Sequence, residues 1–497
     1  MNLVSYGEEN IILNSNPKKT CFKATYAKHT NFGLQKNRID FNKERRLSFT
    51  SETEMDFKIP RFGDLLFDTF ICITMPNIYS TLYKDISDYK QFKFQWIKNL
   101  GTTMIKEIQI TANGVTLAKY SGEYLHCLSF RDLSKTKKIV FDEMIGHNTE
   151  MYDPANSTGL TDTYPNSYWL SDNTNPEPSI RQRKLYIPLT SWFSENSKLS
   201  LPLIALQNCE IKIKIIFRPV KDLYTIIDVE DADANRISPD PNNGLHQINR
   251  FIRKPEETDV SKNPVITSTG FWNTDIHLIS TFIHLDKKER LAIARNGHSF
   301  LIKQVIEHEF LNQAGTKKIE MSISSCVSNF MFRFRRTDVV NRNEWTNFTN
   351  WEFENVRPQS LIANGSDGNT YGHSITGGVG DYPINLKNIL IDLAILINGE
   401  YRENDFHQGV FLYCEKFSRT KGDFKNGLYH YSFALDTDLH EYQPSGSMNL
   451  TKYGKIGFEY NTIETPVNPD SETTFTCGTD GELIGIRKQT TALHSYN

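Results

Sequence analysis

The stretch that decides the fold reads LYHYSFALDTDLHEYQPSGSMNLTKYGKIGFEY, from Leu428 to Tyr460. Tyr429, Tyr431, Phe433 and Leu435 alternate with His430, Ser432 and Ala434. That period of two predicts a strand with one buried face. Gln443-Pro444-Ser445-Gly446-Ser447 follows as a turn, because Pro presets φ and Gly tolerates positive φ. Met448-Asn449-Leu450 then leads toward a second strand that ends at Tyr460.

The same order occurs earlier in the chain. Lys184 to Phe217 again runs as an aromatic strand, a turn region, a Pro-containing crossing and a final strand. Glu210-Ile211-Lys212-Ile213-Lys214-Ile215 alternates without a fault, so one face is buried and the other wet. A second pair of blocks supports the repeat. Ile105 to Gly114 (IKEIQITANG) matches Leu390 to Gly399 (LIDLAILING) in pattern. Both end in Asn-Gly, which favours a type I′ turn because both central positions need positive φ. Ile389 to Ile397 is apolar on both faces and predicts a strand covered on both sides. Two halves, residues 20–227 and 265–465, account for these echoes. Between them lies a linker at 228–264, acidic and then Pro/Asn-rich, and beyond them a C-terminal extension at 466–497.

Composition agrees with β structure. The chain has 497 residues, with 31 Phe and 22 Tyr, and aromatic residues suit pleated, half-buried surfaces. Its length predicts ~2–4 domains. The net charge of −3 carries no global commitment to nucleic acid or an anionic membrane. The 7 cysteines are scattered, with no Cys-x-x-Cys, and read as free thiols rather than a zinc site or a disulfide framework. The N-terminus has no secretory pattern, and no apolar run reaches the ~18 residues of a spanning helix.

Further elements follow from local patterning. Residues 1–19 read as a polar N-terminal arm, and Phe22, Ala24 and Tyr26 as one face of a first strand. Leu65 to Met75, Phe271 to Asp286, Phe300 to Phe310 and Lys318 to Arg336 read as strands. Gly122 to Leu133 and Lys287 to Arg295 read as short helices, and 134–180 and 341–382 as long polar loops.

Three phrases resemble one family. These are the Gln-Pro-Ser-Gly-Ser turn between an aromatic strand and an Asn-bearing one, the Thr20 to Phe32 phrase ending His29-Thr30-Asn31-Phe32, and the KLYIPLTSWFSENSKLSLPLIALQN run from Lys184. They are similar to the major capsid proteins of the nucleocytoplasmic large DNA viruses, including mimivirus-like, iridovirus-like and phycodnavirus-like members. The resemblance implies an all-β chain of two tandem eight-stranded antiparallel jelly-roll sandwiches, a double jelly roll, with long loops and short loop helices. It also implies a structural virion protein, assembled in the host cytoplasm, whose homotrimers form pseudo-hexagonal capsomers of an icosahedral shell. Its partners would be further copies of itself, neighbouring capsomers and minor capsid proteins, with an internal viral membrane nearby. By the same analogy, the loops at 134–180 and 341–382 face outward and the N-terminal arm inward. A jelly-roll spike or carbohydrate-binding protein on a virion surface is the alternative.

A metal-binding jelly roll wants clustered His with a downstream Glu. His277 and His284 stand seven apart, and neighbours within Glu307-His308-Glu309 point to opposite strand faces. No Gly-x-Ser-x-Gly elbow, phosphate loop or dinucleotide fingerprint occurs. No catalytic, cofactor or metal residue is therefore expected. Met331-Phe332-Arg333-Phe334-Arg335-Arg336 interleaves basic and aromatic residues as single-strand binders do. The plainer expectation is a strand with its Phe side in the core and its Arg side paired at a domain or subunit surface, without sequence-specific nucleic-acid binding. Asn156, Asn347, Asn364 and Asn449 head N-x-S/T acceptors and are candidate glycosylation sites.

Overall fold

The structure is a computed structural model. It describes residues 7–41, 44–80, 91–167, 176–229, 235–255, 272–356, 386–438, 440–465 and 492–497, and the backbone of 360–364, 370–374, 473–477 and 483–488. The first ten strands are β1 (Phe32–Asp40), β2 (Thr53–Lys58), β3 (Leu65–Met75), β4 (Phe92–Trp96), β5 (Ile105–Ala112), β6 (Val115–Tyr120), β7 (Arg183–Pro188), β8 (Ile211–Phe217), β9 (Tyr224–Asp228) and β10 (His277–Leu285). Two four-stranded antiparallel sheets form from them, in the orders β1-β10-β3-β7 and β2-β8-β5-β6, with β4 and β9 paired alongside.

Alternation places the core. On β8, Ile211, Ile213 and Ile215 are buried, while Lys212 and Lys214 turn out to ion pairs with Glu210 and Glu54. Facing them across the sandwich are Ile71 and Ile73 of β3 and Leu185 and Ile187 of β7, in one continuous apolar cluster. Each such side chain contributes about 1.5–3 kcal/mol relative to staying exposed.

The remaining strands are β11 (Thr316–Met321), β12 (Cys326–Val327), β13 (Asn329–Arg333), β14 (Ser360–Asn364), β15 (Thr370–Ser374), β16 (Leu390–Ile397), β17 (Glu400–His407), β18 (Leu428–Ser432), β19 (Met448–Asn449), β20 (Ile456–Thr462), β21 (Thr473–Cys477) and β22 (Leu483–Lys488). The sheet β11-β20-β16-β17 repeats the order β2-β8-β5-β6, and the opposing layer contains the pairs β12-β19 and β13-β18. Leu393 and Ile395 of β16 meet Tyr429 and Tyr431 of β18 in a second core. Ala394 and Leu396, on the other face of β16, are also buried, as the two-sided apolar pattern predicts.

The Asn-Gly repeat holds at the level of atoms. Asn113 and Gly114 sit at φ 47° and 84°, Asn398 and Gly399 at 52° and 87°. Each Asn side chain accepts a backbone N–H from the partner strand's entry: Glu210 to Asn113 at 2.7 Å, Gly454 to Asn398 at 2.9 Å. These bonds fix the hairpin register against β8 in one half and β20 in the other.

Several expectations change. The strand over Phe271–Asp286, placed at the opening of the second half, is β10, and it lies between β1 and β3 of the first half. Leu278 and Phe282 find their apolar partners in the first core, and that decides its location. The region 228–264 is not simply a linker: Ile248 and Phe251 pack into the first core, and Ile237 bridges Ile226. Within the loop expected over 134–180, Lys135–Ile145 is a helix that buries Lys138, Phe141 and Ile145. Phe22 and Tyr26 are exposed, and the first strand starts only at Phe32, because among the described residues no neighbouring strand meets the backbone of Thr20–Asn31. Residues 300–310 are extended but belong to no ladder among the described residues. Lys318–Arg336 divides into β11, β12 and β13, which join different sheets. In the opening stretch β18 stops at Ser432, so Leu435 is exposed while His430, on the face expected to be wet, is buried.

The last residues of the extension also join the second half. Gln313 N–H donates to the Tyr496 carbonyl at 2.7 Å, Asn497 N–H to the Arg335 carbonyl at 2.8 Å, and Thr337 N–H to the Ser495 carbonyl at 2.9 Å. Tyr496 is fully buried, and its hydroxyl bonds Asn350 Oδ1 at 3.0 Å. This segment therefore sits between two stretches of the second half as β10 sits between two strands of the first.

Candidate functional site

The densest polar chemistry lies where the two halves meet. Its centre is the Gly122–Asp132 helix, which leaves the edge strand β6. Ser121 caps it, accepting the Tyr124 N–H at 3.1 Å, while its own N–H and hydroxyl donate to Glu307 at 2.9 Å. Leu125 turns into the first core, and Cys127 into a small cluster with Phe348 and Leu428 of the second half.

Glu123, in the first turn, is buried and surrounded by guanidiniums. Arg335 Nη1 donates to it at 2.7 Å, Arg218 Nη2 lies 3.1 Å away, and Arg333 pairs with its other oxygen. Burial alone would raise this carboxyl, but Arg333, Arg335 and Arg218 outweigh it and hold it well below the usual carboxylate range. The alternating Phe332-Arg333-Phe334-Arg335 run is thereby explained. Phe332 stacks on Tyr429 at 5.4 Å and Phe334 meets Tyr460 at 5.2 Å, while the arginines cross to the first half. They are committed to Glu123, as the plainer expectation of a paired Arg face has it.

The helix C-terminus is fixed as firmly. Arg131 pairs with Asp132 at 2.7 Å and reaches Asn329 Oδ1 at 2.7 Å. Lys416 Nζ donates to the Phe130 carbonyl at 2.6 Å, and Gly422 N–H to the Arg131 carbonyl at 2.8 Å. A Cβ on Gly422 would come within 2.1 Å of the Phe130 carbonyl, so only glycine permits this approach.

His126 lies between these clusters, edge-on to Phe130 at 5.1 Å and Phe348 at 6.2 Å, with neither ring nitrogen hydrogen-bonded. Burial first, then the Lys425 and Lys138 charges, push its pKa well below the ordinary histidine value. Lys425 is itself buried, paired with Glu354 at 2.6 Å and lying near the Phe130 and Phe348 rings. Burial pushes the Cys127 thiol up to about 11, which makes it unreactive. The arrangement binds two domains and offers no poised nucleophile.

The candidates from sequence are spread apart. His277 bonds the Asp275 carbonyl at 2.6 Å and His284 meets Gln35 at 3.0 Å, near opposite ends of β10. Glu307 bonds Ser121, while His308 stacks beside Phe310. Among the described residues no three His, Cys, Asp or Glu side chains gather as a metal site. Asn156 is exposed, its amide on Asp153 at 3.2 Å, and exposed Asn449 accepts the Thr451 N–H at 3.0 Å. Asn347 is buried, and its amide nitrogen donates to the Trp351 and Glu352 carbonyls. A sugar there would have to break both bonds. Asn364 ends β14, where the described residues give backbone only. Glu123, the residue that organises the junction, was not singled out in the sequence; its position at the start of a short amphipathic helix was the only local cue.

Comparison with known proteins places this geometry. Residues 20–252 match the family model described as the major capsid protein N-terminus, and residues 289–482 the one described as the large eukaryotic DNA virus major capsid protein. The major capsid protein of Phaeocystis pouchetii virus is 26% identical over 310 residues, which cover 61% of this chain and 52% of that protein. Probable capsid protein 4 of Acanthamoeba polyphaga mimivirus is 21% identical over 531 residues, covering 94% of this chain and 93% of that one. The chain thus spans about half the length of some capsid relatives, 52% and 51% in two cases, and nearly all of another. Among solved structures, the Faustovirus major capsid protein superposes with a TM-score of 0.58 at 11% identity, covering 89% of each chain. The PBCV-1 virus capsid gives 0.57 at 16% identity, covering 90% of this chain and 88% of that one. With family models matching both halves and a fold shared with double jelly-roll viral capsid proteins, the chain belongs to the major capsid proteins of large eukaryotic DNA viruses.

Proposed function

We infer that this chain builds the outer shell of a large double-stranded DNA virus as its major capsid protein. Three copies close into a homotrimer. Because each chain carries two similar sandwiches, the trimer has a pseudo-hexagonal outline and packs beside others in an icosahedral lattice. The observation that carries this reading is the repeated sheet order, β2-β8-β5-β6 in one half and β11-β20-β16-β17 in the other. Each half acts as one jelly-roll domain; in the first, the two four-stranded sheets supply the eight strands of the sandwich and β4 and β9 pair alongside. The first runs from about residue 20 through β10, and the second extends to the tail that ends at Asn497. Closed symmetry repeats one contact at each subunit boundary. A permanent contact of this kind buries upward of ~2,000 Å².

Minor capsid proteins beneath the shell, an internal membrane and assembly in the host cytoplasm complete the reading. The N-terminal arm faces inward. Asn156 and Asn449 are exposed acceptors open to a glycan, whereas Asn347 is closed to one. Light scattering on the purified chain tests the oligomer. A mass three times the 57.3 kDa of the chain is expected, and a stable monomer or dimer would overturn the reading.

A further inference from the structure

The internal repeat extends past the Asn-Gly hairpins into the helices that follow them. After β6 the chain reads Gly122-Glu123-Tyr124-Leu125-His126-Cys127-Leu128-Ser129-Phe130. After β17 it reads Gly409-Val410-Phe411-Leu412-Tyr413-Cys414-Glu415-Lys416-Phe417, and these residues are helical over Val410–Cys414 and Glu415–Arg419. Glycine, aromatic, leucine, aromatic ring, cysteine and phenylalanine coincide position by position. Both segments leave the edge strand of equivalent sheets.

Their inward residues behave alike. Leu125 and Tyr124 pack on the first core, and Leu412 and Phe411 lie in the second. Their outward residues differ. His126 and Cys127 are buried against the other half of the same chain. Their counterparts Tyr413 and Cys414 are exposed, Tyr413 at 53%, and Phe417 is 91% exposed. A phenylalanine this bare, beside Tyr413 stacked on half-exposed Phe424 at 5.5 Å, is an apolar surface without a partner among the described residues.

The receiving surface shows the complementary mismatch. In the second half, Tyr429 and Tyr431 of β18 enter the core, while Leu428 and His430 alternate with them and are also buried, Leu428 against Cys127 of the Gly122–Asp132 helix. In the first half β7 holds the same place, with Leu185 and Ile187 inward. Its outward Lys184 and Tyr186 remain exposed, Tyr186 at 38%. Among the described residues each chain thus carries one occupied helix-on-strand junction, one helix that is anchored through Lys416 but presents a bare aromatic face, and one bare strand face.

We propose that the Val410–Arg419 helical segment of one copy covers the outer face of β7 on a second copy, reproducing between chains the junction that the Gly122–Asp132 helix makes within one. The occupant is a second copy because the bare helix and the bare strand face are repeats of two surfaces that already fit each other. The contact is head-to-tail, and such a contact closes only as a ring. The proposal rests on the trimer reading above and assigns its interface. Val410 stands where Glu123 stands, so this junction lacks the buried carboxylate and depends on Tyr413, Phe417 and Tyr186. It is the more separable of the two.

Cys127 packs against Leu428, so Cys414 should lie beside the partner position Lys184. K184C in the full chain, oxidised gently, is therefore expected to give covalent trimers on a non-reducing gel. They should disappear in K184C/C414S, which removes the partner thiol. F417D, at a site too exposed to affect folding, is expected to reduce the trimer to monomer with an unchanged far-ultraviolet spectrum. If wild-type chain is a trimer while K184C gives no crosslink and F417D stays trimeric, the interface lies elsewhere and this assignment fails while the capsid reading stands. If the wild-type chain is itself monomeric, the capsid reading fails first.

Discussion

The two halves share a sheet order but are closed differently. In the first, β10 contributes nine residues, paired with β1 along its whole length and with β3 on its other side. In the second, the same role falls to Ser495–Asn497, held by a few backbone bonds and the buried ring of Tyr496. Similar topology therefore does not imply similar robustness. A long closing strand spreads its stabilisation over many side chains, whereas a short one concentrates it in one. The junction helices differ in the same manner, one anchored by a buried ion cluster and the other by exposed aromatics.

The largest expected effect comes from the ion cluster. Glu123→Gln leaves Arg218, Arg333 and Arg335 facing one another without their carboxylate, a loss of about 3–5 kcal/mol. Chemical denaturation would read it, and a loss under about 1 kcal/mol would mean the cluster is incidental. The pH dependence has a defined sign. Glu123 is depressed in the folded state, so its contribution is complete above the ordinary carboxylate range and is lost as pH falls through the folded value.

Tyr496→Ala is next, at about 3–5 kcal/mol for a large buried ring. It should lower the melting of the second half while leaving protection from hydrogen exchange in β3 and β8 unchanged. Equal loss in both halves would contradict separate closure. Gly446→Val follows at about 1–3 kcal/mol, since φ is +149° and an added Cβ would stand 3.3 Å from Ala434 Cα. An unchanged melting temperature would show that the turn after β18 is not constrained.

The smallest effect belongs to His126. Its folded pKa is lowered, so the neutral ring's contribution is complete above the ordinary value near 6.5 and is lost as pH falls below it. His126→Phe should recover about 1.4 kcal/mol at pH 5.5 relative to pH 8, one unit below that value. Parallel stability curves for the two proteins would argue against a neutral, buried ring.

Local patterning carried most of the architecture. The Asn113-Gly114 and Asn398-Gly399 pair, the faultless alternation of Glu210–Ile215 and the two-sided apolar run of β16 each predict their own surroundings, because strand period and turn geometry are short-range. What it could not carry is address. Nothing in HLISTFIHL says that β10 joins the half before it, since any sheet of matching width would accept it. Arg333 and Arg335 announce a charged strand face, yet their partner Glu123 lies some two hundred residues earlier and is chosen by packing. The same holds for His430, which is buried on a face expected to be wet because the Glu415–Arg419 helix packs on its strand.

Single-particle electron microscopy of the purified chain would show whether one chain supplies two of six similar units in a closed ring. The expected result is a threefold particle with a six-lobed outline, in which the Val410–Arg419 segment of each copy lies on β7 of the next. A monomer, a twofold dimer, or a threefold ring with Phe417 facing solvent would contradict it.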